Sequence, residues 1–146
     1  MLKRAFPLFC ITLFASAVAA HQGVQNPHVM ARMTIMTDAK SAIEVLGDMA
    51  AGKSMFDATR ASAARQALIE STKATPDLFK TQHTDPKTEA LPLIWTQWAD
   101  FTTRNKVALN AIQTLEINSL NNLQATLPAV GVSCLNCHQT YRRIKK

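Results

Sequence analysis

The sequence predicts an all-α fold, an antiparallel four-helix bundle. Three observations carry this prediction. Apolar residues recur at three- and four-residue steps in four long segments. No segment alternates apolar and polar residues as a half-buried strand would, and two of the three connections are short enough to join antiparallel neighbours. No internal repeat is visible.

The first helix opens on Asn26, a residue type whose side chain caps free amides, with Pro27 in the first turn, where no amide donor is needed. Val29, Met33, Met36, Ala39, Ile43 and Leu46 form its apolar stripe, and Gly52 closes it. A second helix starts near Ser54 or Asp57, runs through Ala61, Ala64, Leu68 and Ile69, and is expected to stop before Pro76. Residues 77–91, with His83 and Pro86 among several polar residues, read as a long surface connection. The third helix begins at about Pro92 and runs through Ile94, Trp95, Trp98, Phe101, Val107, Leu109, Ile112 and Leu115. The fourth covers about 119–143. Pro128 lies inside it and predicts a bend one and a half turns before Cys134.

Residues 1–20 have the form of a secretory signal peptide: Lys3 and Arg4, an apolar run over 5–18, and small residues at Ala19 and Ala20. The run is short for a membrane span, retention as an uncleaved anchor being the alternative, and no other apolar stretch approaches spanning length. Cys10 follows Phe9 rather than a small residue, so it is no lipidation site and leaves with the signal. The mature chain, 21–146, then forms one domain in the periplasm, with no membrane span. Losing Lys3 and Arg4 lowers the basic residues from 16 to 14 against 10 acids, a formal charge of +4. That surplus is too small to read as a nucleic-acid surface.

The two cysteines left are Cys134 and Cys137, and His138 follows directly. On a helix these positions share one face. Two thiols and an imidazole so placed match covalent haem attachment, with Cys134 and Cys137 as thioethers to the vinyl groups and His138 as axial iron ligand. The cofactor expected is one covalent haem c. A zinc site would need a further ligand, and His21, His28 and His83 stand far upstream. A thiol–disulfide centre would expect a preceding strand, and none is visible.

A late Cys-x-x-Cys-His in a signal-bearing four-helix chain resembles the cytochrome c′ family, the class II c-type cytochromes. Arg32 with Met36 four residues on is similar to the first-helix signature of that family. The segments Gly52-Lys53-Ser54-Met55-Phe56-Asp57-Ala58, Pro76-Asp77-Leu78-Phe79, Ile94-Trp95 with Phe101, Val130-Gly131-Val132-Ser133-Cys134 and Tyr141-Arg142 match it too. The resemblance covers essentially the whole mature chain.

The resemblance implies that Met36 stands over the distal haem face, either as a sixth ligand or as packing, and that Arg142 stands on the proximal haem side. An arginine on the inner face of the first helix needs a partner; a haem propionate fits Arg32, and the alternative is a stem lying along the surface with its charge in water. A thioether ligand suits electron transfer to redox partner proteins. Without it, the family binds nitric oxide or carbon monoxide, small gas ligands, at a five-coordinate iron. A homodimer through the first two helices is open to the chain on the same resemblance. Trp95 and Trp98 are expected to pack the core or the haem edge. No nucleophile or acid–base constellation marks an enzyme. Copper chelation by an N-terminal His21, with His28 nearby, is the reading of a different class.

Overall fold

The computed structural model describes residues 23–143. Residues 1–20, read as a signal peptide, and His21 lie outside the described residues. Five helical segments follow in order: α1, Pro27–Ala50; α2, Ala58–Phe79; α3, Leu93–Thr96; α4, Trp98–Gln113; and α5, Leu120–Tyr141. Four are long. α1 packs chiefly on α2, α4 lies against both α2 and α5, and α1 closes the bundle against α5. No strand is present among the described residues.

Local chemistry sets the ends of α1. The Asn26 carboxamide oxygen accepts from the amides of His28 and Val29, at 2.9 and 3.3 Å. After Ala51, Gly52 turns left-handed at φ +71°, and the Gly52 and Lys53 amides reach back to the carbonyls of Met49 and Asp48. That double return satisfies carbonyls a helix end would otherwise orphan. Asp57 caps α2 through the Arg60 amide at 2.9 Å, and Ser119 caps α5 through Asn122 at 3.2 Å.

Pro76 does not end α2, which continues for one more turn to Phe79. A proline inside a helix strips the carbonyl four residues earlier of its donor, here that of Thr72. Asn105 of α4 supplies the replacement: its Nδ2 donates to Thr72 O at 3.1 Å. The third helix is also not continuous. Gln97 (φ −120°, ψ 41°) separates a one-turn α3 from α4. The turn docks α3 on the end of α2, where Trp95 Nε1 donates to Phe79 O at 2.7 Å. Apolar spacing survives one non-helical residue, so periodicity did not register the break. α5 runs through Pro128 without interruption; that residue is exposed, where water can take the released carbonyl.

The connection between α2 and α3 is more than a surface loop. Asp85 is 9% exposed and accepts the amides of Gln25 and Asn26 at 2.8 and 3.0 Å, with Lys87 N on its other oxygen at 2.8 Å. It therefore caps the approach to α1 from sixty residues away. The end of the same connection zips onto the end of α5: Leu91 N donates to Tyr141 O and Arg143 N to Glu89 O.

The core divides into two clusters. The larger contains Leu46 and Met49 of α1, Ala61 and Leu68 of α2, Ile112, Leu115, and Leu123 and Val130 of α5. Burying a side chain such as Leu46 contributes about 1.5–3 kcal/mol. The smaller cluster, Phe79, Ile94, Phe101 and Tyr141, is mainly aromatic and sits beside the cysteine motif.

Candidate functional site

Cys134, Cys137 and His138 lie in the last two turns of α5, all half-buried. The spacing puts them on one face. Cys134 packs against the large cluster and Cys137 against the aromatic one, so the motif spans the junction between them. The two thiols are not joined in a disulfide. Burial pushes the Cys134 thiol up and carries Cys137 to about 11, so both are protonated thiols at neutral pH. His138 is shifted the other way, below its ordinary value, first by burial and then by the charge of Arg142. A neutral imidazole with an available lone pair is the form that ligates iron. Two thiols and a neutral imidazole on one helical face fit covalent haem attachment.

The aromatic cluster forms the wall. Phe101 is the hub: its ring centroid is 5.5 Å from those of Phe79 and Trp98, and 5.4 Å from that of Tyr141, edge to face. Met36 of α1 and Cys137 of α5 both pack against this cluster, together with Trp95 and Trp98. The two tryptophans are thus packing residues of the site's wall, as their spacing suggested.

Arg32 is 2% exposed, so its stem does not lie along the surface with its charge in water. Nε donates to Leu78 O at 2.8 Å, Nη1 to His83 O at 3.4 Å, and Nη2 to Thr81 O. The guanidinium carbon lies 4.9 Å from the Phe79 ring centroid and 5.3 Å from that of Trp95. Carbonyls at a helix C-terminus suit a cation, yet burial still pulls this guanidinium below its ordinary value. Arg32 and Met36 are brought to the same region of the bundle, through Phe79 and Trp95.

Arg142 stands at the end of α5, where its amide donates to His138 O at 3.0 Å. Its guanidinium engages Glu89, with Nε and Nη2 each 2.7 Å from the carboxylate oxygen. Its charge still reaches His138. His28, weighed with His21 for copper, stacks on His83 with ring centroids 4.0 Å apart.

Sequence reading missed a polar group beside the motif. Asp100 and Arg104 of α4 pair at 2.6 Å, and Tyr141 donates its hydroxyl to the same carboxylate oxygen at 2.6 Å. Burial and that bond push Tyr141 up to about 12, while the Tyr141 and Arg104 donors hold Asp100 below the carboxylate range. The visible signal was an opposite-charge pair four residues apart, beginning two residues after Trp98.

A model of the family described as Cytochrome C' matches residues 28–142. Cytochrome c-556 of Rhodopseudomonas palustris is 29% identical over 149 residues, covering 97% of each chain. Cytochrome c-556 of Agrobacterium tumefaciens is 32% identical over 123 residues, covering 80% of this chain and 94% of its own. Among solved structures, oxidised cytochrome c556 of R. palustris superimposes with a TM-score of 0.74 at 27% identity, covering 84% of this chain and all of that one. The match runs from α1 to the end of the cysteine motif, and the donor set fits the cofactor: the chain belongs to the cytochrome c′ family and carries one covalent haem c.

Proposed function

We propose that this protein is a periplasmic electron carrier, exported behind a signal peptide at 1–20, with Met36 as sixth ligand to the haem iron. The observation that carries this reading is the shared position of Met36 and Cys137. They come from different helices, α1 and α5, and pack against one buried aromatic cluster. When bound, the haem iron supplies a one-electron ferric/ferrous couple. The rest is work for the chain. Cys134 and Cys137 hold the ring covalently, and His138 presents its lone pair from the same helical face. Phe79, Phe101, Trp95 and Trp98 keep water from the ring and lower the local dielectric. Bound to the iron, the Met36 thioether would raise the reduction potential and leave no open position for a gas.

Arg32 is the partner for a haem propionate. The three carbonyls engage three of its five N–H donors, and a buried cation favours an anionic neighbour. Arg142, whose charge already acts on His138, serves the proximal side. The protein exchanges electrons with redox partner proteins rather than turning over a substrate. A second copy fits the shallow groove between α1 and α2, where Ala63, Ala64 and Ala67 permit close approach across Ile35 and Val45; sedimentation equilibrium of the mature protein tests that dimer. Intact mass beginning at His21 tests export.

The decisive measurement is the absorption spectrum. A ligating Met36 makes the ferric protein low spin, with a weak far-red sulfur-to-iron charge-transfer band. Met36→Ala then turns it high spin and speeds carbon monoxide binding to the ferrous form, while Met33→Ala, run in parallel, keeps the band. If the wild type is high spin and Met36→Ala changes nothing, the carrier reading is wrong. The protein is then a five-coordinate binder of nitric oxide or carbon monoxide, with Met36 only restricting access.

A further inference from the structure

The Asp100–Arg104 pair bears on the haem motif more closely than helix pairing requires. Arg104 Nε donates to Asp100 Oδ2 at 2.6 Å, and its Nη1 donates to the carbonyl of Asn136 at 3.1 Å, the residue just before Cys137. The oxygen that receives Arg104 Nε also accepts the Tyr141 hydroxyl at 2.6 Å. The guanidinium carbon lies 5.9 Å from the Tyr141 ring centroid. The pair therefore holds α5 at residues 136 and 141, one on each side of Cys137 and His138. Both charges are thereby fixed beside the turn that carries Cys137, one positive and one negative.

A positive charge beside a haem stabilises the reduced iron, and a negative charge stabilises the oxidised iron. Two opposed charges fixed beside one thioether nearly cancel. We propose that Asp100 and Arg104 are positioning residues that trim the reduction potential from the Cys137 edge, with Tyr141 holding the carboxylate in place. The side chains are 47% and 36% exposed, so water and salt screen each charge considerably. Removing either one is expected to change the ferric/ferrous equilibrium constant about threefold, roughly 30 mV at 59 mV per tenfold. The inference rests on haem attachment and not on Met36 ligation. The couple exists with or without a sulfur ligand, so failure of the Met36 test leaves this one standing.

The test is redox titration of the haem-bound protein and four variants. Asp100→Asn, which keeps an acceptor for Tyr141, should raise the potential. Arg104→Gln should lower it, the double variant should return towards wild type, and Arg104→Lys should stay near wild type because it keeps the charge while giving up the planar fork. All four should leave the ferric spectrum unchanged. A merely structural clamp predicts otherwise: Asp100→Asn and Arg104→Gln would shift the potential in the same direction, or Arg104→Lys would behave like Arg104→Gln. Either result overturns the proposal, as does a change in the ferric spectrum. Should Arg104→Gln fail to mature, a raised potential in Asp100→Asn beside an unchanged one in Arg104→Lys is still required.

Discussion

Asn105 is predicted to be the residue that allows Pro76 to sit inside α2. Its Nδ2 takes the Thr72 carbonyl, which the proline leaves without a helical donor, and Asn105 itself is 8% exposed. Asn105→Ala leaves a carbonyl unsatisfied in the bundle, at a cost of about 1–3 kcal/mol. The consequence reaches the haem side, because the turn after Pro76 presents Leu78 O to Arg32 and Phe79 O to Trp95. Pro76→Ala restores an amide that the helix aims at Thr72. In that background Asn105→Ala should cost only its lost packing, less than about 1 kcal/mol, so the two sites couple by roughly 1–2 kcal/mol. Urea unfolding of the haem-bound protein, followed by helical circular dichroism, measures all four corners of the cycle. With a urea slope of about 1–3 kcal/mol/M, the single variant loses on the order of 1 M in midpoint. Equal costs of Asn105→Ala in both backgrounds would refute the compensation.

Three further outcomes are expected. Asp85 is held below the ordinary carboxylate range by the backbone amides of Asn26, Lys87 and Gln25. A depressed folded value contributes stability that is present above the unfolded value and lost as pH falls through the folded one; Asp85→Asn should therefore flatten the acid side of the stability–pH curve, read by thermal unfolding. Gly52→Ala places a side chain at φ +71° with no steric contact within 4 Å, so its cost is the left-handed backbone alone, about 1 kcal/mol by urea titration. Cys134→Ala should weaken or abolish maturation, since one thioether is lost; denatured wild-type protein should keep a haem that acid–acetone does not extract, and haem freely extracted from the wild type would overturn covalent attachment.

Much of this molecule was legible in its residues because the signals are local. Asn26-Pro27 and Gly52 bracket α1 by chemistry that acts within one turn, and four apolar stripes require a bundle. The spacing of Cys134, Cys137 and His138 defines one helical face wherever that helix lies. Other features depend on residues distant in the chain and were not legible. Pro76 read as a stop because its compensating donor, Asn105, lies twenty-nine positions away on another helix. The break at Gln97 left the apolar spacing intact. Asp85 looked like loop polarity until the fold brought it to the amides of Gln25 and Asn26. Arg32 shares a face of α1 with Met36, but the three carbonyls that receive it, of Leu78, Thr81 and His83, belong to the last turn of α2 and the connection after it. Local sequence therefore determined the elements and the attachment motif. Only the tertiary structure decided which hydrogen bonds replace those the chain forgoes, and which charges stand beside the cysteine motif, because both depend on through-space neighbours that sequence order does not specify.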